Sequence, residues 1–249
     1  MWQHLTRTTP GVSRKGTYFE NLKLNAGSID SFFVEESLLV FLEKSLPLMR
    51  GVVLDVGCGN MKYKPLVLQS PQVVRYSGLD LLEEKYMRTF TPDLTWDGTR
   101  MPLEDHSVDT VLLFEVLEHC EHPGVVLGEI KRVLKPDGLL IFSVPLVNPL
   151  HGLPFDFQRF TPLGIKTLLA KTGFETIHTE LSGSLDASLG YILGLWVKHR
   201  AMPALVRKIA RKLVVLPLGT LFWLDRDTPP DTRENTMAPS VMGHARPKK

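Results

Sequence analysis

The stretch VVLDVGCGN, Val52 to Asn60, sets an acid, two glycines and a cysteine directly behind an apolar run. Gly57 and Gly59 lack side chains, so the backbone there can approach a bound molecule closely. A helix following such a turn would aim its free N–H groups at the same point. A dinucleotide turn would read G-x-G-x-x-G, but GCGNMK has Lys62 where the third glycine would allow close packing under a pyrophosphate. Asp55 adds negative charge where a phosphate is unwelcome, so the turn suits a cationic or amine-bearing ligand. Asp55 either reaches the ligand's ammonium, directly or through water, or caps the amides of the loop. Asp80, ending VVRYSGLD, stands next to the loop in a doubly wound sheet, where its carboxylate can accept from two vicinal hydroxyls or serve as a strand-end cap.

A second concentration of chemistry is EHCEHP, where His119, Cys120 and His122 could ligate a metal. The spacing lacks a second cysteine or histidine pair, and neither His106 nor His151 completes a zinc pattern, so no metal is expected. His122 and Pro123 read instead as the entry to a helix. Cys58 and Cys120 are the only cysteines. One sits in the ligand turn and one after a strand, which suits reduced thiols better than a disulfide framework.

The elements that must position these residues alternate. GVVLDVG, VVRYSGLD, VDTVLLFE and GLLIFSVP are short apolar runs without a polar face, as strands buried on both sides of a parallel sheet are. SIDSFFVEESLLVFLEKSLPLM carries Phe33, Leu38, Phe41, Leu42 and Leu46 near helical spacing, with Ser28 or Asp30 available as N-cap. In HPGVVLGEIKRVLKPDG, Leu127, Ile130, Val133 and Leu134 share a face, and KPDG reads as a turn into the next strand. TPLGIKTLLAKTG and FETIHTEL extend the series with one more helix and strand. The fold class is therefore α/β: a doubly wound, mostly parallel sheet with helices on both faces and ligands at the carboxyl ends of the strands.

LDVGCGN, the acidic strand end in GLDLLE, FEVLEH and LKPDGLLIFSVP, in that order and spacing, resemble the class I S-adenosylmethionine-dependent methyltransferases of the type 11 kind. The likeness runs from about Val52 to Phe174. It implies a Rossmann-like seven-stranded sheet, S-adenosyl-L-methionine as donor, S-adenosyl-L-homocysteine as product, and a glycan, lipid-linked or small-molecule acceptor. By this resemblance Asp55, Gly57, Cys58 and Gly59 pass under the methionine part, and Asp80, with Leu81 beside it, takes the ribose. Asp97 and Gly98 meet the adenine, and Phe114 and Glu115 lie along the donor. His119 would face the mouth of the site. The loop NPLHGLPFDFQRFTP resembles one that carries a histidine, an aspartate and an arginine in methyltransferases of the bacterial glycan, lipid and small-metabolite type, here His151, Asp156 and Arg159. His119 and His151 are the candidate bases for a hydroxyl acceptor. Asp156 and Arg159 either contact substrate or pair to fix the loop. A nicotinamide-dependent oxidoreductase, which would want the missing glycine, and a catalytically silent donor-binding scaffold are the alternatives.

The chain has 249 residues, 43% of them apolar, and a formal charge of +2, so it can bury one substantial core and has no chain-wide field for nucleic acid. Four regions are expected: a polar leader over 1–27, the donor-binding core over 28–184, an apolar and basic helical cover over 185–226 broken by Pro203 and Pro217, and a polar tail over 227–249 with a final edge strand. MWQHLTRTTPGVSRKG has no secretory apolar core, which points to the cytoplasm. Lys198, Arg200, Arg207, Lys208, Arg211 and Lys212 lie among apolar runs shorter than the roughly 20 residues that span a bilayer. Those runs suit a pocket cover, with peripheral contact to a membrane's inner face through 198–224 as the second reading.

Overall fold

The computed structural model describes residues 9–81, 91–225 and 236–248. Its sheet has seven strands: β1 (Gly51–Val56), β2 (Val73–Leu81), β3 (Leu94–Trp96), β4 (Val108–Phe114), β5 (Leu134–Pro145), β6 (Phe174–Leu181) and β7 (Ser240–Pro247). They lie in the order β3-β2-β1-β4-β5-β7-β6, and only the pairings of β7 are antiparallel. Successive side chains of a strand leave on opposite faces, and the apolar residues divide accordingly. Val53, Leu112 and Ile141 join one core with α1 (Phe32–Ser45), α2 (Lys64–Val67), α5 (Leu185–His199) and α6 (Ala204–Asp225). Leu54, Val111, Leu113, Leu140 and Phe142 join the other with α3 (Pro123–Val133) and α4 (Pro162–Lys171). Two apolar faces on each central strand explain why their sequences show no alternation.

Several boundaries depart from the sequence expectation. The N-cap of α1 is Ser31, not Ser28 or Asp30. The Ser28 hydroxyl instead donates to the Lys23 carbonyl at 2.6 Å, and Asp30 pairs with Lys198 of α5. KPDG is an excursion within β5 rather than a turn ahead of it: Val108 pairs with Leu134 and Thr110 with Leu139, so 135–138 loop out between them. The final strand is internal, inserted between β5 and β6, and β6 takes the edge. The leader is tied to the fold from residue 9 onward, where the Thr9 amide donates to Glu43. Arg14 reaches the buried Glu36 and Glu43 of α1, and Phe19 enters the core.

Pro203 separates α5 from α6, but Pro217 lies inside α6. Proline there removes the donor that the Leu213 carbonyl would otherwise receive. Tertiary packing holds the helix through it: Val214, Leu218 and Phe222 are buried, and the Phe222 ring meets those of Phe32 and Phe33 edge-on at 5.0 and 6.0 Å. Close approach of α5 depends on Gly194, where any Cβ would strike the Ile29 backbone. No helix among the described residues is long and apolar enough to cross a membrane.

Candidate active site

At the carboxyl end of β1 the chain turns sharply through Gly57 (φ +70°) and Gly59 (φ +50°). A Cβ at Gly57 would overlap Val116, whereas Gly59 faces open space. The turn is fastened to β2, because the Gly57 and Cys58 amides donate to the Leu79 carbonyl at 2.8 and 3.2 Å. The Gly59 amide donates to Asp80 Oδ2 and the Leu81 amide to Oδ1, both at 2.8 Å. A carboxylate has about four acceptor directions, so roughly two remain to Asp80 for a ligand. The helix that follows, α2, is a single turn, too short for a strong macrodipole. Amides of the loop itself therefore take the role expected of a helix end.

Asp55 is buried beside this turn and accepts a short hydrogen bond from the Tyr76 hydroxyl. Burial pushes its carboxyl up to about 7, against the opposing bond from Tyr76. Burial, with Asp55 and Asp80 nearby, also pushes the Cys58 thiol up, and burial raises Cys120 to about 11, so both free cysteines stay protonated. Asp97 is exposed and uses Oδ1 for its own turn, accepting from the Thr99 amide and hydroxyl and the Arg100 amide. Those bonds hold it down to about 2. Gly98 follows with φ +85°. Phe114 is buried and edge-on to Tyr63 at 5.2 Å. Glu115 adopts φ +54°, and burial raises its carboxyl.

On the opposite rim, the loop after β5 is fastened to the segment after β4. The Phe157 amide donates to the Glu118 carbonyl at 2.9 Å, and the Gln158 side chain to the Cys120 carbonyl at 2.8 Å. This brings the rings of His119 and His151 to 4.7 Å, with Glu118 beneath them. Arg159 grips Asp156 through two nitrogens at 2.6 and 2.9 Å and donates to the Pro149 carbonyl, while Asp156 also accepts from the His151 amide at 2.9 Å. The guanidinium holds the Asp156 carboxyl well below the usual range. Asp156 and Arg159 thus fix the loop that carries His151. Cys120 turns its sulfur to the Val116 carbonyl and His122 takes the N-cap position of α3 without a side-chain cap bond, and neither joins the cluster around His119.

A glycine turn bound to a strand-end acid, in a sheet of this order, is the geometry against which known proteins can be compared. Residues 54–142 match the family model described as a methyltransferase domain. Over this stretch, from β1 into β5, the chain is similar to the class I S-adenosylmethionine-dependent methyltransferases. It is 33% identical over 135 residues to a malonyl-[acyl-carrier protein] O-methyltransferase of Alcanivorax borkumensis, covering 51% of this chain and 45% of that one. It is 26% identical over 203 residues to the 27-O-demethylrifamycin SV methyltransferase of Amycolatopsis mediterranei, covering 71% and 74%. The chain spans about half the length of most of the relatives it matches. Among solved structures, the Burkholderia thailandensis 1,6-didemethyltoxoflavin-N1-methyltransferase aligns with TM-score 0.51 at 16% identity, over 88% of this chain and 80% of that one. The cyclase SpnF aligns with TM-score 0.54 at 16% identity, over 86% and 81%. Such likeness establishes the fold, which hosts more than one chemistry.

The methyltransferase cofactor, S-adenosylmethionine, fits the residues present. Gly59 leaves open space over the turn, Asp80 keeps acceptor capacity for a diol, and Asp55 places a buried acid, bonded to Tyr76, behind the turn. Two neighbours had no signal as site residues in the sequence. Tyr76 is brought to Asp55 by the pairing of β2 with β1, and Lys62 lies 5.6 and 5.2 Å from the ring centres of Tyr18 and Tyr63. A third, Glu118, did carry a signal, three residues after Glu115 and next to His119.

Proposed function

We propose that this methyltransferase moves the activated methyl of S-adenosylmethionine to an oxygen of a small or lipid-linked acceptor entering between the loop after β5 and α5. The bond from the Gly59 amide to Asp80 carries the reading, because it joins the loop that would underlie the methionine part to the acid that would hold the ribose. When bound, the donor supplies a sulfonium methyl that is already electrophilic. The chain's own task is alignment and exclusion of water. Asp97 and Gly98 would border the adenine, and Phe114 and Glu115 the length of the donor. His119, His151 and Glu118 stand where an acceptor hydroxyl would give up its proton.

Support for an amphiphilic acceptor comes from α5 and α6. Their inner faces pack on α1, and the Tyr191 hydroxyl donates to the Asn148 side chain of the loop after β5 at 2.6 Å. Their outer faces expose Leu189, Trp196, Leu205, Ile209, Leu213 and Leu216 beside basic residues. A cover with a merely solvated outer face would not need these. Calorimetric titration with S-adenosylmethionine and S-adenosylhomocysteine, with NADH as control, tests the donor reading. Asp80→Ala should weaken donor binding by about 1 kcal/mol or more, as loss of a charged acceptor does. Binding of NADH alone would return the oxidoreductase reading, and donor binding without turnover on any acceptor would favour the scaffold.

A further inference from the structure

Glu118 is completely buried, and neither of its carboxylate oxygens accepts a hydrogen bond among the described residues. A buried carboxylate left this way is strongly disfavoured unless something of opposite charge or a proton meets it. Glu115, Asp156 and Arg159 act on it from nearby, and two imidazoles face it. His119 Nδ1 lies 2.5 Å from the Phe155 carbonyl and His151 Nδ1 lies 3.1 Å from the Pro149 carbonyl. A carbonyl can only accept, so each Nδ1 carries the hydrogen, and in the neutral ring each Nε2 presents a lone pair. Both Nε2 atoms stand 3.8 Å from Glu118 Oε1. One atom from each of the three side chains lies within 4.8 Å of the other two. Three acceptor atoms therefore lie close together.

We infer that Glu118, His119 and His151 form a binding site for a divalent transition-metal ion, with two imidazole nitrogens and one carboxylate oxygen as ligands. An ion held at about 2.1 Å by each ligand keeps the ligand atoms about 3.4 Å apart, so modest side-chain rotations close the set. Donation of the second ring nitrogen to a backbone carbonyl is how ligating histidines are oriented, and both rings have it here. The frame is rigid as well: Asp156 and Arg159 hold the His151 loop, and Phe157 and Gln158 bolt that loop to the Glu118 segment. Two imidazoles favour zinc, cobalt or iron over magnesium or calcium. Three protein ligands leave coordination positions open, and a metal there would polarise an acceptor oxygen. That last role rests on the methyl-transfer reading; metal binding does not.

The test uses chelator-stripped full-length protein, without donor or acceptor. Zn2+ binding is followed by calorimetry and thermal shift, and Co2+ binding by its visible absorption. The variants are Glu118→Gln, His119→Asn and His151→Asn. Asparagine keeps a donor near the Nδ1 position and so keeps the loop anchored while removing the Nε2 ligand, and circular dichroism and donor affinity check the fold. One equivalent of Zn2+, a rise in melting temperature, visible Co2+ bands, and at least about a tenfold loss of affinity in each variant are expected. Without metal, Glu118→Gln should itself melt higher than the parent, since it removes an uncompensated buried carboxyl. Absence of Zn2+ and Co2+ binding, or binding unchanged in all three variants, would overturn the site while leaving the donor reading intact.

Discussion

Asp55 shows how a single residue can serve a ligand at the expense of the empty fold. Its carboxyl is raised from an ordinary 3.8 to about 7, chiefly by burial. Between those values the folded protein holds a proton that the unfolded chain has released. Its contribution to stability is therefore full below pH 4 and is lost as the pH rises through about 7. The integrated effect is about 4 kcal/mol. Asp55→Asn, which can still accept from Tyr76, should raise stability at pH 8 and remove this downward slope in urea titrations between pH 4 and 7. The same variant should bind S-adenosylmethionine more weakly, because a neutral amide cannot attract an amine as a carboxylate does. If the variant were less stable at pH 8 than the parent, burial would not be what governs Asp55.

Strand β7 raises the opposite pH effect at the scale of an element. Its His244 stacks on Phe41 of α1 at 5.0 Å, with Nε2 2.8 Å from the Ser45 hydroxyl, and faces His178 of β6 at 5.8 Å. Burial lowers its pKa to about 4. Here the unfolded chain binds the extra proton, so stability is full above about 6.5 and is lost as the pH falls toward 4, by about 3 kcal/mol in all. His244→Gln keeps a donor toward Ser45 and should flatten this acid limb without altering the Asp55 slope. The wild-type curve combines two opposed slopes, and only the variants separate them. Nothing in SVMGHARP reveals that it will be an inner strand. Its place is decided by antiparallel pairing to two partners distant in sequence. The parallel strands were legible because burial on both faces leaves a mark in every residue. The continuity of α6 through Pro217 was not, because packing of Val214, Leu218 and Phe222 overrides a local breaker.

For the molecule as a whole, two regions outside the sheet are tied to it differently. The segment from residue 9 is strapped to α1 by Arg14, whose guanidinium meets Glu36 and Glu43 where both are buried. Arg14→Met leaves these carboxylates without it, and should lower stability by about 3–5 kcal/mol in chemical denaturation. A sequence that reads as a polar leader hides this, since its partners lie within an apolar helix. The donor half of the site was legible in a local motif, Asp55 to Gly59 with Asp80. The trio of Glu118, His119 and His151 was not, because two loops far apart in sequence assemble it.

The other region, α5 with α6, turns an apolar surface outward: Leu205 and Leu213 are each 70% exposed, near Arg207, Lys208, Arg211 and Lys212. If this face meets an anionic bilayer, each cation near the surface contributes about 1 kcal/mol. Replacing the four by Gln should then reduce partitioning to phosphatidylglycerol vesicles by about a thousandfold, and raised salt should weaken the parent's binding in the same direction. Leu205→Ser with Leu213→Ser should weaken binding with little change in salt dependence, because burial of apolar surface is not screened. Flotation of the parent with neutral vesicles as readily as with anionic ones would remove the electrostatic part of this account. No flotation with either would leave α5 and α6 as a cover for an acceptor that reaches the site from solution.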